Sequence, residues 1–268
     1  MRPLAAQLVV IAKAPVPGKV KTRLTPAYTP HEAARLAEAA LADTLDAAAR
    51  TPFARRTLAL AGAPAALRGG AGEASADAAW LPPGFEVTGQ RGNGLDERIA
   101  AALDEVYAQL AVPIVLIGMD TPQVTPGLLE SVARPLASGE ADAVFGPARD
   151  GGFWLLGLRR PDPDLILGVP MSQTHTGRGQ LARLVRAKLR VHLAPELIDV
   201  DTVSDAQEVA GQAPASRFAA AVLAMGDRRT AASRPVLGEP TGAADLAGPA
   251  DLAGRASTVP LAGAAAGR

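Results

Sequence analysis

Cysteine is absent from this 268-residue chain, which removes disulfides, thiolate catalysis and cysteine metal sites together. Histidine is scarce: His31, His175 and His192 are too scattered to suggest a histidine-based zinc centre. Net charge is lacking too. With 27 basic and 27 acidic residues, no global field draws the chain to nucleic acid or an anionic membrane, and any anion binding must be local. No apolar run approaches the ~20 residues that span a bilayer, so no membrane span is expected. The run from Leu4 to Ala12 is broken by Gln7 and ends at Lys13, which suits a strand better than a signal peptide, and a cytoplasmic protein is expected.

Lysine is the other scarcity. Apart from Lys188, the chain's lysines are Lys13, Lys19 and Lys21, whereas arginine carries the positive charge elsewhere. The stretch reads Lys13-Ala-Pro-Val-Pro-Gly-Lys-Val-Lys-Thr-Arg-Leu24, and no acidic residue precedes Glu32. A concentrated positive loop just after a buried strand is either a seat for phosphate oxygens or a solvated basic turn. It is not a Walker A loop, because Lys13 stands where that motif needs a glycine.

Apolar, β-branched runs alternate with alanine-rich helical patterns, which predicts an α/β fold with a mainly parallel sheet. Strands are expected at 8–12, 57–61, 85–88, 113–118, 141–145, 153–158 and 191–193, with 197–200 as one more short strand. Pro113 to Gly118 is the strongest; its core, Ile114-Val115-Leu116-Ile117, is apolar throughout, as for a central strand covered on both faces. Thr29-Pro30-His31-Glu32 is a capping box that opens a helix to about Arg50. Further helices are expected over 95–110, 125–139 and 180–188, and one opened by Thr202-Val-Ser-Asp205. Residues 63–79 read as a Gly/Ala/Pro-rich loop. The composition after about Arg229 holds too few large apolar residues to offset chain entropy. One folded domain over 1–225 and a disordered tail over 230–268 are therefore expected.

Several constellations could carry chemistry. Gly118-Met-Asp-Thr-Pro122 leaves the carboxyl end of the central strand, where open α/β sheets bind ligands. Asp120 there suits a hard divalent cation completed by water and phosphate oxygens, or serves as a turn or helix cap. Arg149-Asp150-Gly151-Gly152-Phe153-Trp154 offers a close backbone approach to a ligand, or a tight hairpin turn. In Asp199-Val-Asp-Thr202, alternation would put Asp199 and Asp201 on one side, so that one of them could supply a second carboxylate to a cation. Gln90-Arg-Gly-Asn-Gly-Leu-Asp-Glu-Arg98 could meet an anion through backbone N–H groups, or be an ordinary loop.

In order along the chain, the 13–24 loop, Gly118–Pro122, Asp150-Gly-Gly-Phe-Trp-Leu-Leu-Gly157 and Asp199–Thr202 resemble the DUF2064 family. That family also goes by the names of arsenosugar-biosynthesis-type glycosyltransferases and radical-SAM/selenodomain-associated transferases. It is similar to the GT-A nucleotide-diphospho-sugar transferases, and more distantly to 2-phospholactate and molybdenum-cofactor guanylyltransferases. The resemblance covers roughly residues 7–210. It implies a single Rossmann-like GT-A domain with helices on both faces of the sheet. It also implies a nucleotide over the first strand, with Ala12, Lys13, Gly18, Gln90, Gly118 and Gly151 as contacting positions. Lys19, Lys21 and Arg23 would hold phosphates, and Asp120 and Asp201 a Mg2+ or Mn2+ ion. Asp150 is expected to position the acceptor or act as base. The family usually has glycine where this chain has Asp96, before Glu97-Arg98. The implied activity is glycosyl transfer from a nucleotide sugar to a small-molecule acceptor. The alternatives are nucleotidyl transfer from a nucleoside triphosphate and a non-catalytic nucleotide-binding module.

Overall fold

A computed structural model describes residues 3–62 and 81–232, with side chains through residue 226. The chain divides into a compact unit, Met1–Ala232, and a second, Ser233–Arg268, that lies outside the described residues. The expected loop over 63–79 falls outside them as well, as does the expected tail over 230–268 except for residues 230–232, which are helical. Among the described residues, no helix is long and apolar enough to cross a membrane.

Seven strands form one sheet: β1 (Leu4–Lys13), β2 (Phe53–Ala61), β3 (Glu86–Gly89), β4 (Ile114–Ile117), β5 (Ala143–Pro147), β6 (Phe153–Leu158) and β7 (Val191–Leu193). Their order is β3-β2-β1-β4-β6-β5-β7. Every pairing is parallel except those of β6, which runs antiparallel to both β4 and β5. The helices are α1 (Pro30–Arg50), α2 (Leu95–Gln109), α3 (Pro126–Ser138), α4 (Thr176–Arg186), α5 (Val203–Gln212) and α6 (Arg217–Ala232). This is the expected α/β, Rossmann-like arrangement.

The period of two along each strand sorts side chains between two layers. From β1 and β4, Leu8, Val10, Val115 and Ile117 pack with Leu41 and Leu45 of α1 and Leu129, Val132 and Leu136 of α3. Val9, Ile114 and Leu116 point the other way, to Ile99, Leu103 and Val106 of α2 and Leu184 of α4. Burying all four residues of β4 requires both layers, which is why that strand reads as a continuous apolar run. A third cluster joins Leu24, Tyr28, Leu36 and Ala40 to Ile198, Val200, Val209 and Phe218. It fastens the end of the basic loop to the segment that carries Asp199 and Asp201.

The capping boxes form as read. Thr29 Oγ1 accepts from the Glu32 N–H at 3.2 Å, and Thr202 Oγ1 from the Asp205 N–H at 3.2 Å, with each acidic side chain bonding back. Three expectations change. Residues 197–200 are not a strand: Leu197 makes one isolated bridge to Ala148, because the segment crosses the strand ends instead of extending the sheet. Helix α4 begins at Thr176, not Gln180; Thr176 Oγ1 donates to the Pro170 carbonyl and accepts from the Gln173 N–H, fixing a first turn that Gly177 and Gly179 hide from periodicity. Helix α6 was not expected; Phe218, Val222 and Met225 bury its inner face.

Candidate functional site

Connections from β1 lead to β2 on one side, and β4 joins on the other, so the order reverses between β1 and β4. Ligands in open α/β sheets sit beyond the strands' carboxyl ends at such a point. The segments leaving β1 and β4 there are the basic loop and Gly118–Pro122. Between them lies a cleft of about 600 Å³.

The third segment arrives from far along the chain. Residues 195–201 cross the strand ends, held by Leu197 N–H to the Pro147 carbonyl (3.2 Å), Arg149 N–H to the Leu197 carbonyl (3.0 Å) and Val200 N–H to the Asp120 carbonyl (3.0 Å). Gln123 Nε2 donates to the Ile198 carbonyl at 2.6 Å. The Thr202 cap of α5 then fixes the chain beyond Asp201, and Arg149 bonds Asp205 and Glu208 at 2.9 and 2.7 Å. The result brings one carboxylate oxygen each from Asp120, Asp199 and Asp201 within 4.8 Å of one another. A Cβ on Gly118 would lie 2.8 Å from Asp120 Oδ1, so glycine there leaves the carboxylate its space.

Lys21 enters this acidic cluster. Its Nζ donates to Asp120 Oδ2 at 2.7 Å and to Asp201 Oδ1 at 3.0 Å, with the side chain only 9% exposed. Burial disfavours the ammonium, but the charges and hydrogen bonds of Asp120 and Asp201 outweigh it, and the Lys21 pKa is pushed up to about 12. Its backbone is left-handed, φ 48°, an unusual conformation for a residue with a Cβ. Arg23 Nη1 donates to Asp201 Oδ2 at 2.7 Å. Asp199 makes no ion pair among the described residues. Burial, then the charges of Asp120, Asp150 and Asp201, push its carboxyl up to about 7.

Of the sequence-derived positions, Ala12, Lys13, Lys19, Lys21, Arg23, Gln90, Gly118, Asp120, Asp150 and Asp201 all line the cleft. Lys19 is exposed and has no acidic partner among the described residues, whereas Lys21 and Arg23 are bound to carboxylates. Asp150 combines both of its readings: it lines the cleft, and its Oδ1 accepts the Gly152 N–H at 2.7 Å in the hairpin turn. Gly18 and Gly151 stand outside the cleft wall. At Gly151 (φ +90°) a Cβ would overlap the Thr174 carbonyl, so the close approach is to this chain's own backbone.

The Gln90–Arg98 segment satisfies itself: Glu97 Oε2 accepts the Asn93 N–H at 2.8 Å, and Arg98 Nε donates to the Gly92 carbonyl at 3.1 Å. Asp96 accepts the Gly168 N–H at 3.0 Å. Trp154 is 3% exposed and donates through its indole N–H to the Pro195 carbonyl at 2.9 Å, so it is largely core beneath the cleft. Sequence reasoning singled out Asp201 and left Asp199 as its alternative, although both belong to the cluster. It also missed the Met171–Thr176 segment, which forms the opposite wall. Its signal was local and weak, a polar stretch ahead of a glycine-diluted helix.

Residues 44–173 match the family model described as an uncharacterized protein conserved in bacteria, DUF2064. That stretch holds Gly118–Pro122 and the Asp150 turn, and leaves the basic loop and Asp199–Thr202 outside. The 2-phospho-L-lactate guanylyltransferase of Natrialba magadii is 33% identical over 146 residues, 53% of this chain and 58% of that enzyme. The chain therefore matches little more than half the length of that relative. A candidate nucleotide-diphospho-sugar transferase of known structure from Desulfovibrio desulfuricans G20 is 28% identical, with a TM-score of 0.71 over 85% of this chain and 96% of that one. Residues 44–173 are thus similar to the DUF2064 family, and the fold resembles that of the D. desulfuricans protein over most of both chains.

Proposed function

We propose that this protein is a divalent-cation-dependent transferase that uses a nucleotide-activated donor, moving a sugar from a nucleotide sugar to a small-molecule acceptor. The observation that carries the reading is the convergence of Asp120, Asp199 and Asp201 beside the 19–23 basic segment, at the sheet's switch point. Such a donor set fits a hard cation, Mg2+ or Mn2+, whose remaining positions go to water and phosphate oxygens. The raised Asp199 fits it too, because three crowded carboxylates favour an added positive charge. When bound, the cation supplies charge neutralisation at the donor's phosphate oxygens.

The chain's own residues do the rest. Lys19, exposed at the mouth, meets phosphate charge, and Lys21 and Arg23 add positive charge beside the carboxylates. Together they favour departure of a nucleoside diphosphate. Asp150 offers the acceptor hydroxyl a carboxylate oriented by the Gly152 N–H, suited to positioning it or taking its proton.

The likeness to the D. desulfuricans protein over nearly its whole length supports the sugar reading. A second reading is supported by the N. magadii guanylyltransferase: the same groups would clamp a triphosphate while an acceptor phosphate attacks the α-phosphorus. Product analysis with nucleotide sugars and nucleoside triphosphates, each with Mg2+ or Mn2+ and candidate acceptors, separates them. Nucleoside diphosphate released from a nucleotide sugar supports the first reading, and pyrophosphate from a triphosphate the second. Lys19→Ala and Asp120→Ala should lose turnover while remaining folded, and undiminished turnover in Asp120→Ala would remove the metal assignment. Metal-dependent binding without turnover would leave a non-catalytic nucleotide-binding module. A cytoplasmic location accords with all three.

A further inference from the structure

Two of the carboxylates suited to a cation are already bridged by this chain's own side chain. Lys21 Nζ donates to Asp120 Oδ2 at 2.7 Å and to Asp201 Oδ1 at 3.0 Å, and Arg23 Nη1 takes Asp201 Oδ2 at 2.7 Å. The remaining Asp120 oxygen, Oδ1, lies against Gly118. Lys21 joins the pair from within, with its side chain 9% exposed. Arg23 stays at the surface, 67% exposed, and pairs with Asp201 only among the described residues.

An ammonium and a divalent cation cannot share that bridge. Mg2+ takes its oxygens at about 2.0–2.1 Å, so an ion between the two carboxylates would lie where Nζ lies. On any other lone pair of the same oxygens it would still stand against a buried like charge. The backbone around Lys21 is pinned. Val20 and Leu24 are buried on either side, and Lys21 holds the left-handed conformation, φ 48° and ψ 41°, that leads into the short 3-10 turn Thr22–Leu24. What can move is the four-carbon stem, which rotates about each of its bonds and borders the cleft beside Lys13 and Lys19.

We propose that Lys21 and the divalent cation are alternative occupants of one seat, and that Lys21 thereby couples cation binding to the donor's phosphates. The inference rests on the cation-dependent nucleotide reading above and is common to its sugar and nucleotidyl versions. With no phosphate in the cleft, an entering ion breaks two charge-assisted hydrogen bonds, and the displaced ammonium finds only water. With phosphate oxygens present, the ammonium turns from carboxylate to phosphate and remains paired. Lys21 thus opposes the ion alone and favours ion and donor together. The coupling is reciprocal: the factor that phosphates add to cation affinity is the factor that the cation adds to theirs.

The test is Mn2+ binding, followed by the paramagnetic resonance of the free ion, to the full wild-type chain, to Lys21→Met and to Lys19→Met. Lys21→Met should bind Mn2+ about tenfold or more tighter than the wild type. Lys19→Met removes the same charge from an exposed position of the same loop and should stay within about threefold of the wild type. GDP, ADP, CDP and UDP are then added in turn; the one that most tightens Mn2+ in the wild type should tighten it less in Lys21→Met. Acetylation of the wild-type chain by acetic anhydride, mapped by mass spectrometry against the exposed Lys188, should rise at Lys21 once Mn2+ saturates the protein. No gain in Mn2+ affinity in Lys21→Met, an equal gain in Lys19→Met, equal tightening by nucleotide in wild type and Lys21→Met, or Lys21 acetylation that does not rise with Mn2+ would each overturn the proposal and leave the nucleotide reading standing. Mn2+ bound by none of the three proteins, or no effect of any nucleotide on the wild type, would overturn both. If Lys21→Met does not fold, acetylation of the wild type decides alone.

Discussion

At the scale of single residues, the site is governed by one buried cation among three carboxylates. Lys21 neutralises Asp120 and Asp201, and its removal leaves them facing each other and Asp199. Lys21→Met should therefore lower the stability of the metal-free protein by about 2 kcal/mol, on the scale of a hydrogen bond to a charged group. Added Mg2+ or Mn2+ should recover that loss in thermal unfolding; an unchanged melting temperature would contradict the role given to Lys21. Asp199 adds a pH dependence. Its folded pKa, about 7, lies above its ordinary value of 3.8, so between those values the folded state holds a proton that the unfolded chain has released. This carboxyl therefore makes the metal-free protein less stable as pH rises from about 4 towards 7, with no further change above. Cation affinity should rise over the same window, because binding requires the charged form. Both slopes should vanish in Asp199→Asn, and slopes that persist there would assign them to another group.

At the scale of elements, two loops interlock to build one wall of the cleft. Cβ atoms on Gly151 and on Gly177 would overlap the backbone oxygens of Thr174 and Gly152, and the Gly177 N–H donates to the Gly151 carbonyl at 2.8 Å. The β5–β6 turn and the start of α4 can meet only as glycine backbones. Gly151→Ala, strained also by its positive φ, should destabilise by about 1–3 kcal/mol, and proteolysis should increase within 171–176. Wild-type protection of that segment would show that the loops are not coupled. Local signals of this kind were legible where they were strong. The Thr29 and Thr202 capping boxes, the Ile114–Ile117 run and the Gly139 helix end all read directly. Helix α6 and the first turn of α4 did not, because alanine- or glycine-diluted windows carry little periodicity and form through tertiary packing.

At the scale of the whole molecule, function depends on contacts that no local pattern contains. Asp120 and Asp201 come from distant parts of the chain and are joined through Lys21, so their convergence was legible only as a resemblance to a motif order. Asp199 shows the limit. Alternation put it on the same side as Asp201, and this emerged even though the expected strand did not form, but only the fold shows that both reach Asp120. The basic loop, conspicuous because lysine is otherwise rare, divides by role: Lys21 belongs to the acidic cluster and Lys19 remains at the mouth. The most direct measurement is a titration with Mn2+, following free ion by its paramagnetic resonance, of wild-type protein and of Asp120→Asn with Asp199→Asn, each alone and with GDP, ADP, CDP or UDP in turn. The account predicts one bound Mn2+ in the wild type, tightened by at least one of the four nucleotides, and loss of that site in the double variant with the fold intact. Equal Mn2+ binding by both proteins, or no effect of any of the four nucleotides on the wild type, would contradict it.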